Sequence, residues 1–437
     1  MIKQPHYQFS SEMRPRFKSD EISKEISFKS RATTFELLKE FHHSIENPSL
    51  VSSSNGQISR LLLTAPSYVL QYIAYSNVYE DLLAKLPSNT EFIFLSHSST
   101  LPDLEKILRR TKTKSRSQVI EVPDTVRFSV WAEDAYAVTQ NNGTDRSYLV
   151  EPASFPRLED ALIADIISTQ TDLGHYHASL YFQGGNILIG DDFWMIGADY
   201  PNKSLKIGII SPEPGELKLE AVKRLYGRSL DKNKKMIILG SSLPVPSHQE
   251  RPITINGQNW IEEIYTGNKT GTSQPMFHID MFVTLAGRNS SGQPIILVGD
   301  PKMASTILGE PVEKHAMEHI YNDIAKNLAN QGFEVIRNPL PLIYQDNPKE
   351  KIRSWYFATA NNALVEISDA NKEVWFPTYG YGPWSNLVAT DQANKKIWED
   401  LGFKVNMLGD FHPFAYNLGA AHCITKFIKR GMKNVVA

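Results

Sequence analysis

The sequence predicts an α/β fold in which a small unit of several strands and one helix recurs along the chain. Three observations lead there. Residues 75–96, 313–339 and 385–408 each read as a helix, a turn and a strand. Their helical stretches carry apolar residues at three- and four-residue spacing, and the strands that follow are short and bounded by Gly, Pro or Asn. Residues 217–240 look like a fourth copy, and 157–173 supply a fifth helix. Further strand runs ("SYLVEP", "NILIG", "DFWMIG", "MFVTLAG", "PIILVGD", "YFATANNALVEI" and "EVWFPTY") lie between the copies. A doubly wound sheet alternates strand and helix one for one, so this excess of strands argues against it. Radial repetition of αβ units around a central channel explains the pattern, with a large α+β domain as the alternative.

The elements follow in order. Residues 1–50 are polar and weakly periodic and read as an N-terminal extension, with "VSSSNGQIS" at 51–59 as a linker. A single domain is expected over 60–437. The Pro-rich stretch 241–259 reads as a long surface loop or lid. "GHYHAS" carries His175 and His177 two residues apart, and an ordinary polar loop is preferred there to a metal site.

Composition excludes several classes. The chain has 437 residues, 41% hydrophobic and 22% charged, with a net charge of -2, so it lacks the basic footprint of a nucleic-acid binder. One cysteine rules out an intrachain disulfide framework and any thiolate-rich zinc or iron–sulfur site. The N-terminus lacks the apolar segment of a standard signal peptide, and no apolar run is long enough to span a bilayer. A cytoplasmic protein with no membrane partner is the expectation.

Chemistry concentrates in a few segments. In "QPMFHIDMFVTLAG" (274–287), His278 and Asp280 stand two apart at the start of a strand-like run, so both would face one way. The alternative is a structural histidine held by a neighbouring carboxylate. In "VRFSVWAEDAYAVTQ" (126–140), Glu133 and Asp134 interrupt an apolar segment, and one of the two would line a site. Gly184 and Gly185, followed by Asn186, permit close backbone approach but lack the spacing of a nucleotide-binding glycine motif. Cys423 sits beside His422 in "NLGAAHCITKF", where it is either a small buried hydrophobe or a nucleophile. A cysteine, a histidine and two aspartates suit a guanidinium substrate. Carboxylates match its planar fork of N–H donors, a thiolate can attack its carbon, and an imidazole can move the protons.

These segments resemble, in order, those of the guanidino-group-modifying superfamily of pentein fold, which includes agmatine deiminase, arginine deiminase, the peptidylarginine deiminases and the glycine amidinotransferases. Trp131-Ala132-Glu133-Asp134 is similar to the family's Trp-x-x-Asp, Gly184-Gly185-Asn186 to its Gly-Gly segment, His278-Ile279-Asp280 to its His-x-Asp, and Gly419-Ala420-Ala421-His422-Cys423 to its C-terminal nucleophile segment. The resemblance implies a five-bladed αβ propeller with pseudo-fivefold symmetry. It implies a deiminase releasing ammonia through a covalent Cys423 intermediate, with His278 as acid–base and Asp134 and Asp280 on the guanidinium. Trp131, Glu133, Gln183, Gly185, Asn186 and Gly419 are expected around the substrate. Neither a metal nor another cofactor is implied. The partner would be a small-molecule or peptidyl guanidine, and a homodimer is compatible. An amidinotransferase is the alternative, and a catalytically inactive binding protein of the same fold a second. Glu133 stands where the family often has arginine, and Gln183 where an acid often precedes the glycines. A free arginine substrate would need a carboxylate partner, for which Arg353 and the segment 287–292 are the candidates.

Overall fold

The computed structural model describes residue 45 and residues 47–141, 146–157, 159–368 and 371–431. Nearly all of the expected N-terminal extension therefore lies outside the described residues. Its last three residues, Pro48–Leu50, form a strand paired antiparallel with Thr139–Asn141, so the folded body begins before the expected boundary.

Five sheets repeat one construction: an antiparallel strand pair, a helical crossover, and a third strand added in parallel. In the first, Gln57–Ala65 pairs antiparallel with the C-terminal strand Thr425–Gly431, and helix Ile73–Lys85 leads to the parallel strand Glu91–His97. The next joins Ala137–Asn141 and Ser147–Glu151, then adds Gly174–His177 through helix Ile163–Gln170. Ile187–Ile189, Phe193–Gly197 and Lys235–Leu239 form another, with helix Lys218–Ser229 as the crossover. Val283–Arg288, Pro294–Asp300 and Glu334–Pro339 follow, linked by helix Glu318–Asn330. Leu364–Ile367, Lys372–Thr378 and Lys404–Asp410 make the last, linked by helix Val388–Asp400. A parallel strand cannot be reached by a tight turn, so each unit needs its helix.

The helices are placed by one-sided burial. On Glu318–Asn330 the buried residues are Ile320, Tyr321, Ile324, Ala325 and Leu328, one stripe at helical spacing. Helix Pro301–Leu308 shows how local chemistry sets ends. Asp300 caps it by accepting from the Met303 amide at 3.0 Å, Pro301 occupies the first turn, and Gly309 closes it in the left-handed conformation.

A sixth sheet departs from the expected pattern. The stretch expected as a lid instead contains a hairpin, Gln249–Ile255 with Gln258–Ile264. Asn256 and Gly257 form its turn with φ of 50° and 74°, the two positive values that an Asn-Gly hairpin turn requires. This hairpin joins Ile352–Phe357 in parallel, which pairs antiparallel with Leu342–Asn347.

The expected linker at 51–59 is also part of the body. Its carbonyls are collected by the buried guanidinium of Arg430, which donates to Ser52 at 3.0 Å, Ser53 at 2.6 Å and Gly56 at 3.1 Å. Burial pushes that guanidinium down to about 9, and these acceptors explain how it is tolerated.

Candidate functional site

The four motif segments meet, each lying just ahead of the strand that opens or closes its sheet: Ala137–Asn141, Ile187–Ile189, Val283–Arg288 and Thr425–Gly431. Trp131–Asp134 is a turn rather than a regular strand. Gly184–Asn186 is a single 3₁₀ turn packed on it: the Gly184 amide donates to the Asp134 carbonyl at 3.0 Å. A Cβ on Gly184 would lie 1.8 Å from the Glu133 carbonyl oxygen, so only glycine fits. His278 is likewise not on a strand. It precedes the 3₁₀ turn Ile279–Met281, and the strand begins at Val283.

Asn186 holds that segment in place. Its Oδ1 accepts from the Ile279 amide at 3.1 Å and from Gln274 Nε2 at 2.9 Å. A side chain on Gly185 would come within 2.6 Å of His278 Nδ1 and 3.2 Å of Asp280 Oδ2, so this glycine makes room for both. Gly419 leaves room for the Trp131 ring, whose Cζ3 lies 2.1 Å from where a Cβ would stand. Leu418, with φ of 68°, turns the chain inward just before it.

His278 Nε2 bonds Gln183 Oε1 at 2.5 Å, which makes it the donor, and Nδ1 lies 3.4 Å from Asp134 Oδ1. Burial holds this imidazole below its ordinary pKa, against the pull of Asp134 and Asp280. His422 Nδ1 contacts Asp280 Oδ2 at 2.8 Å. Burial opposes its charge too, but Glu133 and Asp280 outweigh that and raise its pKa.

Sequence reasoning missed the partners that neutralise this centre. Arg157 Nη2 donates to Asp134 Oδ2 at 2.8 Å, and its Nε bonds Asp160. Lys426 Nζ lies 2.7 Å from Glu133 Oε1, with both side chains buried. The adjacent acids thus point to different partners: Asp134 to Arg157 and His278, Glu133 to Lys426. Asn362 organises the last segment. Its Oδ1 accepts from the Ala420 and Cys423 amides at 3.1 Å, and its Nδ2 lies 3.2 Å from Cys423 Sγ. The paired asparagines before the strand run "ALVEI" were the available signal for it. Arg157 and Lys426 stand in no motif.

Two expected residues are committed elsewhere. Arg353 forms a two-bonded pair with Asp346 at 2.7 and 2.9 Å. Arg288, in the segment 287–292, pairs with Asp191 and Asp192. Neither is offered to a substrate carboxylate.

The geometry corrects the expected nucleophile. Cys423 is 2% exposed, and burial, followed by the charges of Asp280 and Asp134, pushes its thiol well up, so the protonated form is held. Its Sγ is 3.7 Å from Asp280 Oδ2 and 3.8 Å from Met281 Sδ, an acceptor and a thioether. His278, the expected acid–base, is turned to Gln183 and Asp134. Among the described residues, the metal-ligating side chains whose reactive atoms gather within 4.8 Å of one another are Glu151, Asp165 and His175, a set that excludes Cys423. The cysteine-dependent deiminase, and the citrullination and ammonia release that would follow from it, are therefore set aside. Cys423 returns to the reading of a small buried hydrophobe.

No protein-family model matches the chain, and no curated protein matches it significantly in sequence. Solved structures do. A C. jejuni agmatine deiminase superposes with a TM-score of 0.56 at 15% identity, covering 88% of this chain and 97% of that one. The agmatine deiminase of Enterococcus faecalis gives 0.57 at 13% identity, with the same coverage of both chains. The chain thus shares the fold of these two agmatine deiminases. Among the described residues no helix is long and apolar enough to cross a membrane.

Proposed function

We propose that this chain is a non-catalytic binding protein on the pentein fold, whose buried acidic centre takes a guanidinium or a similar planar cation. One observation carries the reading. Among the described residues, Asp134 Oδ1, Asp280 Oδ1 and Glu133 Oε2 are buried acceptors with no hydrogen-bond partner. Each such orphan costs roughly 1–3 kcal/mol, which a donor-rich cation would recover. The Arg157 contact supports the choice of cation, because Asp134 already accepts from a guanidinium on its other oxygen.

In this reading Asp134 and Asp280 hold the cation, Gln183 fixes His278, and Gly185, Asn186 and Gly419 keep space and backbone in register. Trp131 lies against Gly419 as wall. The rest of the ligand has a place beside Met281. A cavity lined by Tyr265, Met276, Phe277, Met281, Trp355 and Leu418 opens there, and the Phe277 ring lies 4.1 Å from that of His278. Its apolar walls suit an alkyl or aromatic tail rather than a carboxylate. The five sheets of common construction support a radial, five-unit arrangement of one domain, which takes in residues 48–59 as well as the expected body from residue 60 onward.

Calorimetric titration with agmatine, arginine and an arginine peptide, each paired with an ammonia assay, tests the proposal. Binding of at least one ligand without ammonia is the expected result. Absence of binding, or turnover that produces ammonia, would overturn it.

A further inference from the structure

We infer that Glu151, Asp165 and His175 form a site for a divalent transition metal, apart from the acidic centre and independent of the function proposed for it. Three elements bring these ligands together. Glu151 ends strand Ser147–Glu151, His175 lies in strand Gly174–His177, and Asp165 lies in helix Ile163–Gln170, which covers them. The two strands pair in parallel with Leu149 opposite His175 and Glu151 opposite His177. Side chains alternate along a strand, so Glu151, His175 and His177 share one face. The expected polar loop at "GHYHAS" is in fact this strand.

The ligand atoms all lie within 4.8 Å of one another. His175 Nε2 is 2.9 Å from Asp165 Oδ1, and His177 Nε2 is 3.2 Å from Glu151 Oε2. A tetrahedral ion with bonds near 2.0–2.2 Å needs ligand separations of about 3.4 Å, which modest side-chain rotations supply. Glu151 is the buried member, at 4% exposure, while Asp165 and His175 are 34% and 21% exposed. The ion would thus have a fixed inner ligand and two outer ones facing an entry path. His177, already on the same carboxylate, is placed to be the fourth.

The donor set selects the ion. Imidazole nitrogen combined with carboxylate oxygen suits zinc, cobalt or nickel, whereas calcium and magnesium prefer all-oxygen shells. Two separate histidine–carboxylate pairs would also satisfy these groups, and the two arrangements differ in what they bind. One ion engages both carboxylates and at least one imidazole at once, so changing any member weakens the whole set.

The full chain, stripped with a chelator and dialysed, should be titrated with Zn²⁺ and Co²⁺ by calorimetry, with Mg²⁺ as comparison. The expected result is one equivalent of Zn²⁺ per chain, a Co²⁺ visible spectrum of low coordination number, and much weaker Mg²⁺ binding. His175→Gln and Asp165→Asn, both at partly exposed positions, should each weaken Zn²⁺ by about tenfold or more while keeping the wild-type melting temperature without metal. No stoichiometric binding of Zn²⁺ or Co²⁺ would overturn the inference. So would unchanged affinity in both variants, which would place the ion elsewhere. If one variant fails to fold, the other decides alone: unchanged Zn²⁺ affinity and an unchanged Co²⁺ spectrum in it would overturn the inference.

Discussion

Replacing Lys426 with methionine should expose how the floor of the acidic centre is held. Lys426 Nζ bonds Glu133 Oε1 at 2.7 Å and lies 3.3 Å from the Glu133 carbonyl oxygen. Both side chains are almost fully excluded from solvent, at 7% and 4% exposure. Burial raises the Glu133 carboxyl, and Lys426 is the first group that pulls it back. Methionine keeps the length of the side chain and removes the charge, leaving a buried carboxylate without its cation. Breaking a buried pair from one side costs about 3–5 kcal/mol. With an unfolding entropy of about 2.1 cal/mol/K per residue, a domain of this length should lose about 4–6 °C in melting temperature. The loss should shrink at acid pH, where Glu133 takes a proton and the uncompensated charge vanishes. The double variant Lys426→Met with Glu133→Gln should recover most of it, because neither partner is then charged. Melting of the wild type, both single variants and the double variant at pH 7 and pH 5 completes the cycle. A Lys426→Met protein that melts within 1 °C of wild type at pH 7, or a double variant no better than the single, would refute the reasoning.

Four further outcomes are expected. Gly419→Ala drives a methyl group into the Trp131 ring and should destabilise by about 1–3 kcal/mol, read from chemical denaturation; wild-type stability would show that the ring can move aside. Arg157→Gln removes the internal guanidinium from Asp134 and should tighten agmatine binding by about fivefold or more in calorimetry, whereas weaker binding would mean that Arg157 supports the ligand. Cys423→Ala should leave that binding within about twofold, since the acceptors are carboxylates; a large loss would give the sulfur a direct role. The raised pKa of His422 sets a pH dependence. Its folded value lies above the unfolded one, so its contribution is complete below about pH 6.5 and disappears as pH rises through the folded value. His422→Gln should therefore lower the melting temperature more at pH 6 than at pH 9, and an equal loss at both would exclude the linkage.

Much of this molecule is legible in its sequence. The helix–turn–strand repeats were legible because burial on one face imposes a period on the chain, and each of the three clearest copies became a crossover helix and a parallel strand. Gly184 and Gly185 were legible only as a place of close backbone approach, and Gly419 only through the resemblance; the atoms that would meet a side chain at each come from other segments of the fold. Other features had no local signature. The lid became a hairpin, although the Asn256-Gly257 dipeptide was a signal that the Pro-rich context hid. His278 and Asp280 proved to sit on a turn, and their convergence with Gly185 comes from packing rather than strand alternation.

Charge state was the property that tertiary structure alone decided. Residue type identifies Cys423 as a sulfur and Asp134 as an acid, but not the medium around them. Only the fold removes water from the thiol and places Asp280 beside it, and those two effects keep it protonated. Only the fold brings Arg157 to Asp134 and Lys426 to Glu133 across separate units of the chain. Electrostatic interaction depends on distance and on exclusion of solvent, and neither quantity is written along a sequence. The order of motifs was therefore a property of the chain, while the chemistry those motifs can support was set by what the folded body packs against them.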